Sequence, residues 1–196
     1  MKKLINKTAL LLLLVGILVG CHPPNNPPHT DNEKEGVLSI KKILSNIPIS
    51  DVDLNDFPYL KVPKGAKSTN ENICENCTFI FYLDSLNNIP VKGRVFSAML
   101  EQDPANNFEI TTYYVIKNIT DQVSTLGGIK VFEGDVLPPM DESVKDNTTW
   151  RLNLKDNSHV SSYLIRRGES NIHISVATNH IPKLQLIVVE SKESVH

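Results

Sequence analysis

The sequence predicts an α+β fold: a mostly antiparallel sheet with one main helix at about residues 112–126 and a short N-terminal helix. Three observations carry that expectation. Residues 78–83 and 91–100 each alternate apolar with polar side chains around a break at Asn87, Asn88 and Pro90, as two strands joined by a loop do. Residues 160–167, 172–177 and 184–190 read as three more strands, the first two joined through Gly168, Glu169, Ser170 and Asn171. Between these groups Tyr113, Ile116, Ile119, Val123 and Leu126 recur at helical spacing, and Gly127 follows as a helix stop.

From the N-terminus, residues 1–20 open with Lys2, Lys3 and Lys7 and continue as an uncharged stretch over residues 8–20. That stretch is too short to cross a bilayer as a helix, which takes about 20 apolar residues. A basic front before a short apolar middle is the pattern of a secretory signal. Residues 21–35 hold Pro23, Pro24, Pro27 and Pro28 among polar neighbours and read as an extended tether. At about 3.1 Å per residue it reaches roughly 40 Å. In residues 36–50, Val37, Ile40, Ile43 and Leu44 fall at helical spacing and Pro48 ends the run. Asp51, Asp53 and Asp56 begin like a calcium loop, but the third carboxylate is one place late and Val62 stands where the closing Glu belongs. They read instead as turn residues opening a domain over 51–192. Residues 129–133 read as a short strand. Residues 134–158, with Pro138, Pro139 and Trp150, specify no element, and 193–196 read as a tail.

The chain has 20 basic and 22 acidic side chains. Without Lys2, Lys3 and Lys7 the balance is 17 against 22, a formal charge of −5. A mildly acidic surface with no basic run speaks against nucleic acid as a partner. Of the three cysteines, Cys21 follows the signal, and Cys74 and Cys77 form a CxxC. In an oxidising envelope compartment that pair is expected to close as a small structural disulfide. A thiol redox pair and part of a metal site are the other readings. Redox CxxC motifs open a helix, whose N-terminus lowers the first thiol's pKa, whereas polar residues 68–72 precede this one and an alternating strand follows it. Zinc asks for two more ligands at close spacing, and His159, His173 and His180 are scattered.

Leu18, Val19, Gly20 and Cys21 resemble the lipobox of bacterial lipoproteins. The resemblance implies that the Cys21 thiol takes a diacylglyceryl group, that the chain is cut before it, and that the new amino group is acylated with a fatty acid such as palmitate. One acyl chain holds only marginally, at roughly 0.8 kcal/mol per buried methylene, so three make a lasting anchor. His22, standing where Asp favours retention at the inner membrane, implies a periplasm-facing place on the outer membrane. The body carries "DFPYLKVPKGAK", "PVKGRVFSAML", "LGGIKVFEG" and "SYLIRRGESNIHISVATNHIPKLQLIVVES" in that order. These segments are similar to the periplasmic module that precedes an OmpA-like peptidoglycan-binding domain in some Gram-negative envelope proteins. The likeness runs over about residues 51–192. It rests on Phe57, Pro58, Pro63, Gly65, Gly93, Gly127, Gly128, Phe132, Gly134, Tyr163, Arg166 and Glu190. The wall-binding domain would follow residue 192, and no segment of the sequence resembles its Asp- and Arg-bearing motif, so wall binding is not implied.

No catalytic, cofactor-binding or metal-binding residue is expected. GxSxG and HExxH are absent. Gly127 and Gly128 follow a helix where a phosphate loop would open one. Glu101 and Asp103 sit together at a turn, whereas a glycosidase opposes its carboxyls across a cleft. His173, between Ile172 and Ile174, reads as an outward strand residue and not as a base. Tyr113, Tyr114 and Trp150 have the makings of a sugar platform, though Tyr113 reads as helix core. The expectation is a lipid-anchored, non-enzymatic envelope module. Cys21 would hold it to the membrane, and it would bind an envelope protein partner or serve a structural role. Two other readings are an immunity or exclusion lipoprotein facing a toxin or conjugation partner, and an envelope hydrolase or thiol redox protein.

Overall fold

The computed structural model describes residue 42 and residues 46–136, 149–154, 158–180 and 183–192. Its strands are β1 (Ala66–Tyr82), β2 (Asn88–Gln102), β3 (Ile129–Val136), β4 (Thr149–Trp150), β5 (Ser158–Arg166), β6 (Asn171–His180) and β7 (Lys183–Ser191). The helix α1 (Thr112–Thr125) crosses from β2 to β3. The strands form one sheet in the order β3-β5-β6-β7-β2-β1-β4. Neighbours are antiparallel except β1 and β4, which run parallel through Thr78–Thr149 and Phe79–Trp150.

This architecture corrects the α+β expectation. Strands take up 53% of the described residues, the sheet is mixed, and α1 is the helix set against it. The largest block of additional strand is residues 66–77. They are polar on both faces, so they show no apolar alternation, and they become strand by pairing with β2. The expected helix over residues 36–50 lies largely outside the described residues, as do the segments 1–20, 21–35 and 193–196.

One face of the sheet packs under α1. Thr111 caps the helix, its side chain accepting from the Tyr114 N–H at 3.1 Å. Val115, Ile116, Ile119 and Val123 point into a core with Phe96, Leu100, Ile165, Ile174, Val176 and Val188. Tyr163 joins this core, and its hydroxyl is satisfied by Thr120 Oγ1 at 2.8 Å. The buried stripe runs through Val115, and Tyr113 is 75% exposed, which corrects the expectation that Tyr113 is core. At the helix end Gly127 adopts φ +76°, and a Cβ there would lie 2.6 Å from Ser50 Oγ. Ser50 uses that space to donate its hydroxyl to Leu126 O at 2.7 Å, while its N–H donates to Arg166 O at 2.8 Å. In the segment that leads from Ser50 to β1, the Lys61 N–H donates to the Gln122 side chain at 2.7 Å, and that side chain donates to Lys61 O at 2.9 Å.

The other face is covered by the sheet itself. Phe79 and Phe81 of β1 share a buried cluster with Val95, Val160, Ala177, Ile187 and Val189. In the sheet order β1 stands three strands from β6, which in a flat sheet is about 14 Å at a spacing of about 4.8 Å. Yet the Phe81 and His173 rings meet edge to face at 5.0 Å. The sheet therefore coils, and the C-terminal half of β1 folds back over β5 and β6.

Replacing Ile119, fully buried between α1 and the sheet, with Ala is expected to cost about 2–5 kcal/mol of stability. Urea unfolding followed by circular dichroism measures this. A loss under about 1 kcal/mol would contradict the packing of α1.

Candidate functional site

A cleft of about 630 Å³ opens where β1, β2 and β7 meet, lined by Glu75, Asn76, Lys92, Gly93, Arg94, Glu190 and Lys192. Its rim is made by a bulge in β1. Cys74 stands opposite Val95 and Cys77 opposite Gly93, so three steps of one strand face two of the other. The two cysteines lie at disulfide distance with Cα atoms 5.8 Å apart, where three extended steps reach about 10 Å. The bridge draws the bulge together and leaves Glu75 and Asn76 exposed at its crest. On the floor, a Cβ at Gly93 would come within 2.0 Å of Glu190 O, so only glycine lets β2 approach β7 this closely.

Arg94 and Glu190 are cross-strand partners beside that contact. The Arg94 guanidinium lies 4.4 Å above the Phe57 ring, and its Nε is 3.1 Å from Glu75 Oε1. Phe57 is itself held edge-on by Phe96 and Tyr59. Tyr59 occupies the left-handed region at φ 72°, with its phenol beside the Glu190 carboxylate. Burial first, then the Glu190 carboxylate, pushes that phenol's pKa up to about 12. Phe57, Gly93 and Glu190 were singled out in the sequence by resemblance. Lys92, Arg94, Lys192 and Tyr59 were not, because no spacing rule links residues so distant in the chain.

A second groove of about 540 Å³ runs between α1 and β3, lined by Thr112, Tyr113, Ile116, Lys117, Thr120, Lys130, Glu133 and His159. Its charges are matched internally: Lys117 with Asp121 at 2.6 Å, Lys130 with Glu133 at 2.6 Å, and His159 Nδ1 with Asp135 at 3.0 Å. Trp150 packs against the cluster of Phe79 and Phe81 on the face away from α1, so Tyr113 and Trp150 form no shared platform.

Glu101 is held between Lys183 at 2.8 Å and Lys67 at 3.3 Å, and those hydrogen bonds, Lys183 first, pull its pKa down. Asp103 turns the chain instead, accepting from the Ala105 N–H at 3.0 Å. His173 corrects the expectation of an outward residue: it is 5% exposed, inside the coil of the sheet. Strand alternation there runs between two buried faces, so neither side is outward. Its Nε2 lies 3.3 Å from Ser191 Oγ, and its Nδ1 has no hydrogen-bond partner among the described residues. Cys21 lies outside the described residues. Among the described residues no group of three or more His, Cys, Asp or Glu is placed to hold a metal ion, and no helix is long and apolar enough to cross a membrane. Compared with protein-family models and with curated proteins, the chain matches none.

Burial pushes the His173 imidazole from 6.5 down to about 3. Between those values the unfolded chain binds a proton that the folded chain does not, so His173 makes stability fall as pH falls. The slope reaches about 1.4 kcal/mol per pH unit. Urea midpoints of the wild type and of His173→Gln, compared from pH 7.5 to 4, are expected to diverge in slope below pH 6.5. Parallel curves would show that His173 is not buried neutral.

Proposed function

We propose that the protein is a lipid-anchored lipoprotein of the Gram-negative envelope. It faces the periplasm from the outer membrane and acts as a non-enzymatic binding module. The observation that carries this reading is the run from Lys2 to Cys21, a basic front, a short apolar stretch and a lipobox-like end. The following Pro-rich residues supply a spacer between lipid and body. The fold adds support for binding. The clasped bulge, Gly93 and the stacked Arg94 hold a concave surface on strands and not on a loose loop, and sites built on rigid elements keep their geometry. The resemblance to the module that precedes peptidoglycan-binding domains belongs to this proposal too, as a reading of the body's ordered segments.

Metabolic labelling with a palmitate analogue tests the anchor. The wild-type chain is expected to take up label and to stay with membranes through a high-salt wash, and Cys21→Ser is expected to take up none. Label that persists in Cys21→Ser, or a wild type without label, would overturn the reading.

A further inference from the structure

The β2–β7 ladder ends at Arg94 and Glu190, and two residues beyond that pair stand Lys92 on β2 and Lys192 just past the end of β7. Both lysines line the cleft. Like charges brought to one concavity repel each other. No carboxylate among the described residues lies within ion-pair distance of either lysine. Of the cleft's own carboxylates, Glu75 is paired with Arg94, and Glu190 stands opposite Arg94 across the strands. Two cations thus converge on one concavity without the counter-charge that the neighbouring ion pairs have.

We infer that this cleft holds a phosphate group of a small ligand, its oxygens bridging the Lys92 and Lys192 ammonium groups with Arg94 behind them. Phosphate fits better than a carboxylate. A planar carboxylate is read by the guanidinium fork, and the fork here is stacked on Phe57 with its Nε toward Glu75. The cations left over are two point charges, each with three rotatable donors, which suit the tetrahedral array of phosphate oxygens better than one planar carboxylate. A volume of about 630 Å³ is that of a small-molecule site. The inference rests on the body being a binding module and is independent of the lipid on Cys21.

The test is isothermal titration of the full chain in detergent with two probes. Inorganic phosphate represents a soluble phosphate, and glycerophosphoglycerol, a deacylated headgroup, represents a lipid phosphodiester. Binding of either probe is expected, and which one binds more tightly names the source. Lys92→Gln and Lys192→Gln are each expected to weaken binding about tenfold. Lys117→Gln, in the other groove, is expected to leave it unchanged, with circular dichroism confirming that each variant is folded. Three results would overturn the proposal: no binding of either probe, binding retained by the double lysine variant, or equal weakening by Lys117→Gln. None of them bears on palmitate labelling, so failure of the cleft and failure of the anchor are read separately.

Discussion

Strands β6 and β7 are buried on both faces, and the rest of the fold answers to that. Ile172, Ile174, Val176, Leu186 and Val188 face α1, while His173, Ala177, Ile187 and Val189 face the other way, and all are nearly inaccessible. A two-sided sheet needs two covers. Helix α1 provides one. The second is β1, which at 17 residues and about 3.3 Å per residue runs roughly 55 Å. That is long enough to pair with β2 along its length and still carry Phe79 and Phe81 back over β5 and β6. A straight strand cannot do both. β1 interrupts its register between Thr69 and Asn72 and again between Cys74 and Cys77, and bulges of this kind bend a strand and deepen its twist.

The disulfide follows from the same demand. It closes a loop of only four residues, for which the chain-entropy relation gives about 2 kcal/mol, near the low end for such bonds. Its consequence lies more in shape than in entropy. It fixes the spacing at the bulge facing Val95 and Gly93, one residue from Arg94. Gly93 lets β2 and β7 close on each other at that level, and Phe57 seats the guanidinium from outside. The bend that covers the core and the cleft at the sheet's end are two results of one irregularity in β1.

The parts of this arrangement that were legible in the sequence are those set by local periodicity. The aliphatic spacing at Ile116, Ile119 and Val123 marks α1, and Gly127 marks its end with a positive φ that glycine tolerates best. The C-terminal strands were legible because β-branched residues crowd them. Tyr113 was misread because the helical repeat admits either Tyr113 or Val115 near the stripe, and only the sheet's position selects Val115. His173 was misread because a polar residue between two isoleucines looks outward when one face is assumed wet. The polar half of β1 and the two-residue β4 carry no periodicity, since pairing with partners distant in sequence defines them. The cleft has the same character. Lys92 and Lys192 are far apart in the chain and come to line one cleft only through the pairing of β2 with β7.

Overall charge alone argues against an anion in that cleft, since the chain without residues 1–20 carries a formal −5. Distance settles the matter. At physiological ionic strength the field of a surface charge decays over about 8 Å, so carboxylates elsewhere on the sheet are screened from the cleft and its own groups dominate. Within it, three cations, Lys92, Arg94 and Lys192, stand against two carboxylates, Glu75 and Glu190, so the cleft's own balance is positive. The groove between α1 and β3 shows the opposite pattern, with Lys117, Lys130 and His159 each facing a carboxylate of the protein itself. Lysines matched by the protein's own carboxylates leave an incoming anion little uncompensated charge to meet. Lys92 and Lys192 have no such partner among the described residues, so the local field at the clasped bulge favours an anion although the chain as a whole is acidic.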